Sequence, residues 1–280
     1  MTRHTVAAVQ MTSGADKSEN LATASRLVRQ AAERGAALIA LPELFNCLGS
    51  HDIIISQAEE IPGPTSEAMR ALAAECQVTL VAGSIGERSK ESGKIYNTSL
   101  LFGPDGTPLA QYRKLHLFDI DLPGFVTFRE SHFMSVGQRL VVTETAVGRL
   151  GHAICYDLRF PELFRLLIDL GAECFVIPSA FTMVTGRDHW QVLLQARAIE
   201  NQVFVIAPNQ YGRHSPKLET YGRSLILDPW GTVLATAPDG EGFICADIDL
   251  ENLDRVRRQL PSLEHRRDLD QLSPVREIGT

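Results

Sequence analysis

Several signatures of common protein classes are missing from this chain of 280 residues. It has no Walker A motif and no GxGxxG segment after a strand pattern, so nucleotide binding lacks support. Its 8 histidines are scattered and its cysteines form no C-x-x-C pair, which argues against a zinc site. We therefore expect neither a metal ion nor an organic cofactor.

Long apolar runs and an excess of basic residues are also absent. The N-terminus lacks the apolar region of a secretory signal, and no stretch approaches the length of a membrane-spanning helix. The formal net charge of -7 disfavours nucleic acids and anionic membranes as partners. The 5 cysteines are an odd number, which favours reduced thiols over a disulfide framework. These features together predict a cytoplasmic protein.

The chain does contain a regular alternation of apolar strand patterns and helical patterns. Short apolar runs predict strands at 6–10, 37–41, 79–83, 174–177 and 203–207. Helical patterns lie at 19–34, with Ser18 as the expected cap, and at 66–76 and 189–201. A Gly-Pro-Asp-Gly turn predicts a hairpin within 99–112. We expect one α/β domain over residues 1–280, and the pattern leaves open whether it holds one sheet or two.

Cys155 is the most informative residue. It ends an apolar run and precedes a helical pattern that opens at Pro161. Ligands bind at such strand ends in open α/β sheets, and a helix N-terminus favours the thiolate over the thiol. The alternative is a buried structural cysteine, which is the usual role of a free thiol.

Glu43 and Lys114 also follow predicted strands. Glu43 lies between apolar neighbours, so its carboxylate should be partly desolvated, as suits a general base. Lys114 ends the second strand of the hairpin, where a cation could stabilise an oxyanion. A solvated loop glutamate and a lysine on a sheet edge are the alternatives. With Cys155, the two residues supply a base, an oxyanion stabiliser and a nucleophile for covalent acyl transfer.

Three separated segments resemble the nitrilase superfamily of carbon–nitrogen hydrolases. They are LPE at 41–43, YRKLH at 112–116 and GHAICYDLRFPEL at 151–163. The resemblance implies a Glu-Lys-Cys triad, which Glu43, Lys114 and Cys155 would carry here. It also implies an α/β fold of the four-layer α-β-β-α sandwich type, with subunits that pair through helices as a homodimer or a higher oligomer.

Other segments resemble the amidase branch of the family called Nit. The CYDLRF run is one of them, since true nitrilases more typically have a tryptophan and a glutamate after the cysteine. DIDLPG at 119–124 and RES at 129–131 resemble the same branch, whose second active-site carboxylate falls on Glu130. Without the resemblance, Glu130 reads as an exposed loop residue.

The resemblance also suggests residues for substrate binding. SAF at 179–181 and HW at 189–190 match the branch, which makes Phe181, His189 and Trp190 candidate contacts. Packing is an equal alternative for Phe181 and Trp190. Arg187 and Asp188 stand where the branch often has Gly-Pro, so we expect a charged pair on a loop near the mouth of the pocket.

The implied function is hydrolysis of a small carboxamide to the acid and ammonia through a cysteine thioester. Glu43 would act as the base, and Lys114 and the backbone N–H of Tyr156 would hold the oxyanion. An ω-amide of a dicarboxylic or keto acid would suit a positively lined pocket. Two relatives compete, deaminated glutathione amidase and ω-amidase.

Two other functions stay open at this point. The same triad could hydrolyse a nitrile, although the residues after Cys155 disfavour it. A catalytically silent binding protein of this fold is the second alternative, and the presence of all four predicted active-site residues argues against it.

Overall fold

Two β-sheets form the centre of the protein in a computed structural model that describes residues 3–89, 93–124, 126–216 and 218–269. The ends of the predicted domain, 1–2 and 270–280, lie outside the described residues. The strands, in chain order, are β1 (Arg3–Gln10), β2 (Leu38–Ala40), β3 (Thr79–Val81), β4 (Ile85–Arg88), β5 (Ile95–Phe102), β6 (Pro108–Arg113), β7 (Asp119–Leu122), β8 (Val126–Arg129), β9 (Val142–Thr145), β10 (Gly148–His152), β11 (Cys174–Val176), β12 (Phe204–Ala207), β13 (Tyr211–Ser215), β14 (Leu218–Tyr221), β15 (Leu225–Leu227), β16 (Val233–Thr236) and β17 (Gly242–Asp249).

Four of the described helices cover the outer faces of the sheets, two on each sheet. The helices, in chain order, are α1 (Lys17–Glu33), α2 (His51–Ser56), α3 (Pro64–Cys76), α4 (Pro161–Asp169), α5 (Met183–Asn201) and α6 (Leu250–Gln259), with short 3-10 helices η1 (Glu130–His132) and η2 (Cys155–Arg159). In the part of the chain that the structure describes, no helix combines the length and apolarity needed to cross a bilayer.

The two sheets share one pattern of parallel inner strands and antiparallel edges. The first runs in the order β17-β1-β2-β3-β5-β4, with β6 paired to β5, and the second in the order β16-β15-β12-β11-β10-β9. Strands β1, β2 and β3 are parallel, and so are β10, β11 and β12. The hairpins β7–β8 and β13–β14 lie outside both sheets. The sequence pattern left open whether the domain holds one sheet or two, and the structure shows two main sheets.

Successive side chains of a strand point to opposite faces of its sheet, and this alternation divides the core into layers. In β11, Cys174 and Val176 pack with residues of the other sheet, whereas Phe175 packs towards α4 and α5. In β1, Ala8 belongs to the layer between the sheets and Val9 to the layer under α1 and α3. Apolar residues on both strand faces explain the continuous apolar runs in the sequence. The fold is the predicted α-β-β-α sandwich.

Two predicted helix starts are wrong. Asp16 caps α1 instead of Ser18, because its carboxylate accepts the N–H groups of Ser18 and Glu19. Helix α5 begins at Met183, six residues before the predicted start, so the segment expected as a loop is helical. Gly186 obscured this start, since glycine is a poor helix former. It is needed here because an added Cβ would lie 2.3 Å from Cβ of Tyr221 on β14.

The layer between the sheets should dominate stability. Ile206 has 0% exposure in that layer, so Ile206→Ala should lower the free energy of unfolding by about 2–5 kcal/mol. Val136 is 51% exposed, and Val136→Ala should change it by no more than about 0.5 kcal/mol. Urea denaturation followed by circular dichroism measures both variants. Equal losses would contradict this account of the core.

Candidate active site

A cavity of about 600 Å³ opens where the loops after β2, β6 and β10 meet. The four predicted active-site residues, Glu43, Lys114, Glu130 and Cys155, all line it. Tyr156 and Phe181 lie on its wall as well. The structure thus brings together residues that are far apart in the chain, and it does so at strand ends, as the sequence pattern predicts.

Cys155 opens η2 in a strained backbone conformation. Its φ is 46°, in the left-handed region that a residue with a side chain rarely adopts. The backbone N–H of Cys155 donates to the Pro178 carbonyl at 3.0 Å, which ties this turn to the end of β11. Strain of this kind persists where surrounding contacts enforce it, and it concentrates at functional sites.

Asp157 supplies many of those contacts. Its fully buried carboxylate accepts hydrogen bonds from the Tyr112 hydroxyl at 2.7 Å and from the backbone N–H groups of Ile154 and His116 at 2.9 Å each. The His116 ring also lies against it, with Nδ1 2.8 Å from Oδ1. The carboxylate therefore joins the turn that carries Cys155 to the end of β6. The sequence did not single out Asp157. A position two residues after a candidate nucleophile does not indicate that a carboxylate is buried and accepts several hydrogen bonds.

Glu43 is held by a tight turn after β2. The backbone N–H of Leu44, whose φ is 49°, donates to the Ser84 hydroxyl at 3.0 Å. Gly83 allows the approach, because an added Cβ would lie 2.0 Å from the Pro42 carbonyl oxygen. From the other sheet, the Gln210 side chain donates to the Glu43 carbonyl at 3.0 Å. The position of Glu43 therefore depends on contacts from both halves of the sandwich.

Lys114 lies between two carboxylates and is 2% exposed. Its Nζ is 2.8 Å from Glu43 Oε1 and 3.0 Å from Glu130 Oε2. Burial opposes the ammonium charge, but Glu130 and Glu43 outweigh burial and hold the pKa of Lys114 well above its ordinary value. Lys114 is therefore a permanent cation and not a base.

Glu130 is buried at the start of η1, where the sequence alone suggests an exposed loop. Its carboxylate accepts from the Phe118 backbone N–H at 2.6 Å and from Lys114. Burial raises the pKa of Glu130, Lys114 lowers it in part, and the neighbouring Glu43 charge raises it further.

The expectation that a helix N-terminus favours the Cys155 thiolate is wrong. Burial, followed by the charge of Glu43, raises the pKa of the Cys155 thiol well above its ordinary value, and Lys114 offsets only part of the effect. The helix that follows Cys155 directly is the five-residue η2, while α4 begins only at Pro161. Desolvation and the neighbouring Glu43 charge therefore favour the protonated form of the sulfur.

Asn97 is a second residue that sequence reasoning missed. This buried side chain on β5 donates from Nδ2 to Glu43 Oε1 at 2.8 Å and to Glu130 Oε1 at 3.3 Å. It lies two residues before the hairpin predicted within 99–112, where no turn or motif distinguishes it. Because Thr98 and Ser99 follow it on β5, its polar character does not set it apart either.

Arg159 gives the cavity a second cation. Its guanidinium carbon lies 5.7 Å from the ring centre of Tyr156 and 5.3 Å from that of Phe181. Its Nη1 is 3.3 Å from His189 Nδ1. Within residues 3–89, 93–124, 126–216 and 218–269, no carboxylate pairs with Arg159. This cation is therefore available to an anionic group in the cavity.

The other predicted substrate contacts are not part of the cavity wall. Arg187 is on α5, its side chain is 72% exposed, and it pairs with Asp188 at 3.2 Å. Trp190 is fully buried, donates Nε1 to the Arg223 carbonyl at 2.8 Å and packs against Phe181. His189 is exposed and reaches the cavity only through Arg159. Because α5 begins at Met183, these residues lie on a helix. Their side chains do not reach the mouth of the cavity, where a loop was expected to place them.

Thiols and metal ligands outside this cluster carry no visible chemistry. All five cysteines are free, and burial raises the pKa of the Cys174 thiol well above its ordinary value. Cys47, close to Glu43 in sequence, is buried, and its Sγ donates to the Ala15 carbonyl at 4.0 Å. Across the described ranges, no group of three or more His, Cys, Asp or Glu side chains could hold a metal ion.

Comparison with known sequences gives a family for this geometry. The carbon–nitrogen hydrolase family model matches residues 5–258. Deaminated glutathione amidase of Synechocystis sp. (strain PCC 6803 / GT-S) is 45% identical, over 95% of this chain and 99% of that protein. Omega-amidase NIT2 of Homo sapiens is 40% identical, over 95% of this chain and 96% of that protein.

Solved structures agree. Nit3 of Saccharomyces cerevisiae, a member of branch 10 of the nitrilase superfamily, superposes with a TM-score of 0.84 at 35% identity, over 92% of this chain and 94% of that chain. The NitFhit protein of C. elegans gives 0.88 at 38% identity, over 97% of this chain and 66% of that chain. The chain therefore belongs to the carbon–nitrogen hydrolase family, and it is a hydrolase of carbon–nitrogen bonds other than peptide bonds.

Proposed function

We propose that this enzyme hydrolyses the ω-amide of a small dicarboxylic or keto acid through a thioester on Cys155. The observation that carries the proposal is the buried cluster of Cys155, Lys114 and two glutamates in a cavity that is also lined by Arg159, which pairs with no carboxylate among the described residues. Each group supplies one part of covalent acyl transfer.

The first step is activation of the thiol. Because burial keeps Cys155 protonated, attack requires a base beside it. Glu43 is that base, because its carboxylate lies beside the thiol and is hydrogen-bonded to Lys114 Nζ at 2.8 Å. The proton passes from sulfur to Glu43 as the sulfur electron pair forms the C–S bond with the amide carbon.

The second step is stabilisation of the tetrahedral oxyanion. The Lys114 ammonium donates to Glu43 Oε1 at 2.8 Å and to Glu130 Oε2 and Oε1 at 3.0 and 3.2 Å. Its positive charge stabilises the reacting oxygen, together with the backbone N–H of Tyr156, the residue after Cys155. Donors held rigidly in a buried site stabilise developing charge far better than water does.

The remaining steps reuse the same groups. Glu43 returns its proton to the leaving nitrogen as the C–N bond breaks, and the amine departs. Glu43 then takes a proton from water as the water oxygen attacks the thioester carbon, and it returns this proton to the sulfur as the C–S bond breaks, which releases the acid and the Cys155 thiol. Glu130 holds Lys114 in place throughout, because its carboxylate, together with that of Glu43, keeps the ammonium between the two glutamates.

The cavity favours a substrate that carries a carboxylate. Arg159 is a cation with no carboxylate partner among the described residues, and Thr182 and Thr185, whose hydroxyls are 2.9 Å apart, line the same cavity. A guanidinium with nearby hydroxyls matches the geometry of a carboxylate. The relatives act, by name, on deaminated glutathione and on ω-amides, which both fit this requirement.

The alternatives fit less well. Nitrile hydrolysis uses the same cluster, but the relatives are amidases. A silent binding protein has no need to bury a cation between two carboxylates, since buried charge is costly unless its partners remain in place.

Other predictions remain proposals of the same kind. Exposed apolar residues on the outer layer of the second sheet support pairing with a second copy of the chain; they are Leu166, Leu170, Val192, Ile199 and Trp230. The five free thiols support a reducing compartment, the cytoplasm. One catalytic domain over 1–280 accords with a family match to 5–258.

The nucleophile is tested by Cys155→Ala. This variant should keep the fold and lose more than about 99% of its activity towards α-ketoglutaramate and deaminated glutathione, because the covalent step is removed. Chromatography of the released keto acid measures both reactions. Cys76→Ala, a half-buried thiol on α3, is the control and should stay within about twofold of the parent. Full activity in Cys155→Ala would exclude the thioester.

The base is tested by Glu43→Gln. A neutral amide cannot activate water, so this variant should acylate slowly and then stall as the thioester. Mass spectrometry after mixing with substrate should find an acyl group on the peptide that contains Cys155. Glu67→Gln on α3 is the control and should show turnover without an adduct. Normal turnover in Glu43→Gln would remove Glu43 from the mechanism.

Carboxylate recognition is tested by Arg159→Met. Loss of a charge-assisted hydrogen bond of about 1.5–3 kcal/mol should raise KM for ω-amido acids roughly 10- to 100-fold, with a smaller change in kcat. Arg187→Met on the exposed face of α5 should leave KM within about twofold. A neutral amide of the same chain length should not distinguish Arg159→Met from the parent. A loss of kcat at constant KM would contradict this role.

A further inference from the structure

Asn97 contacts the active-site cluster at three points, and the mechanism above gives it no role. Its Nδ2 donates to Glu43 Oε1 at 2.8 Å and to Glu130 Oε1 at 3.3 Å. Its backbone carbonyl accepts the N–H of Lys114 at 2.9 Å. One fully buried residue on β5 thus contacts both carboxylates through its side chain and the backbone of Lys114 through its carbonyl.

The donors are distributed unequally over the Glu43 carboxylate. Oε1 accepts both the Asn97 amide and the Lys114 ammonium, each at 2.8 Å. A carboxylate oxygen that already accepts two donors, one of them charged, has less affinity for a proton than the other oxygen. The proton from the thiol should therefore settle on Oε2.

The orientation of the Asn97 amide is set by the carboxylates. Its Oδ1 is buried and has no hydrogen-bond partner in the described part of the protein. Rotating the amide would bring Oδ1 against two carboxylate oxygens and replace two attractive contacts by two repulsive ones. The amide therefore keeps both N–H groups on the glutamates even though its carbonyl stays unpaired.

We propose that Asn97 is a positioning residue that, together with Lys114, holds Glu43 Oε1 so that Oε2 exchanges the proton with Cys155 and the leaving amine. The inference rests on the proposed function of Glu43 as the base. As the S–H bond breaks, the proton goes to Oε2 and the sulfur pair forms the C–S bond. When the C–N bond breaks, the same proton passes to nitrogen.

A neutral donor suits this task better than a second cation. An additional lysine would favour ionised Glu43 so strongly that it would take the thiol proton poorly. The neutral Asn97 amide orients the Glu43 carboxylate and lowers its basicity less than a second cation would. It also links the two glutamates, so that a shift of Glu130 on η1 moves Glu43 through a short rigid contact.

The test is Asn97→Leu, which keeps the branched shape and the number of heavy atoms and has no donors. We expect kcat for α-ketoglutaramate to fall at least about tenfold while KM stays within about twofold. The acidic midpoint of the kcat/KM profile should move to higher pH, because donors that favoured the ionised carboxylates are gone. Asn97→Asp, which keeps the shape and adds a charge, should move the midpoint further in the same direction.

Ser99→Ala is the matched control. Ser99 lies two residues along β5 on the same strand face, and its buried hydroxyl also lacks a partner within the described residues. Its kcat and acidic midpoint should equal those of the parent. Thermal unfolding of every variant identifies a loss of fold, and if Asn97→Leu does not fold, Asn97→Asp decides by the same profile.

Three results would overturn the inference. They are a parental profile in both Asn97 variants, a change in KM alone, and an equal shift of the midpoint in Ser99→Ala. Glu43→Gln, assayed in parallel, separates the two proposals. If Glu43→Gln is inactive while the Asn97 variants behave as the parent, only the positioning role fails; if Glu43→Gln turns over normally, the proposed base fails as well.

Discussion

The active site depends on one electrostatic constraint, a lysine ammonium buried between two carboxylates. Lys114, Glu43 and Glu130 are almost completely withdrawn from water. Removing a single partner from such a group leaves an uncompensated buried charge, which typically costs about 3–5 kcal/mol. The surrounding structure therefore has to deliver all three side chains together, and each of them comes from a different part of the chain: the end of β2, the end of β6 and η1.

The sandwich meets this constraint by joining its two halves at the site. Gln210, which follows β12 of the second sheet, donates to the Glu43 carbonyl and to Ser13, which follows β1 of the first sheet. Asp157 makes the complementary connection, from the turn after β10 to Tyr112 on β6. These buried side chains form hydrogen bonds between the two halves of the sandwich. They thereby fix the distances between the candidate active-site groups that the two halves carry.

The chemistry follows from competition between burial and local charge. Burial alone would suppress the charges of Lys114 and Glu130 and keep Cys155 as a thiol. The carboxylates reverse the outcome for Lys114, so that it stays a cation. For Cys155 the nearby Glu43 reinforces burial, and the sulfur keeps its proton until a base removes it. One cluster thus contains a permanent cation and a resting thiol, and the proposed mechanism needs both.

Much of this could be predicted from the sequence because the information is local. The apolar runs of β2, β11 and β12, the hairpin β5–β6 and the helix α3 all follow from periodicity and turn residues. The short strands β7, β8, β13 and β14 were missed because they have little apolar content and pair only as hairpins outside the sheets. The start of α5 was missed because Gly186 weakens the helical pattern, while its necessity comes from Tyr221 on another element.

The candidate active site also contains residues that the sequence could identify and residues that it could not. Glu43, Lys114 and Cys155 could be recognised because each ends a strand within a distinctive segment, and Glu130 could be recognised only by resemblance to a family. Asn97, Asp157 and Arg159 were not recognised, because their importance lies in contacts with residues more than 20 positions away. The sequence by itself determined the layers, the strand ends and the candidate nucleophile, since these depend on local pattern and residue type. Only the tertiary structure decided which charged side chains are buried together and which cation of the cavity has no carboxylate partner among the described residues, because burial and pairing are properties of the folded cavity.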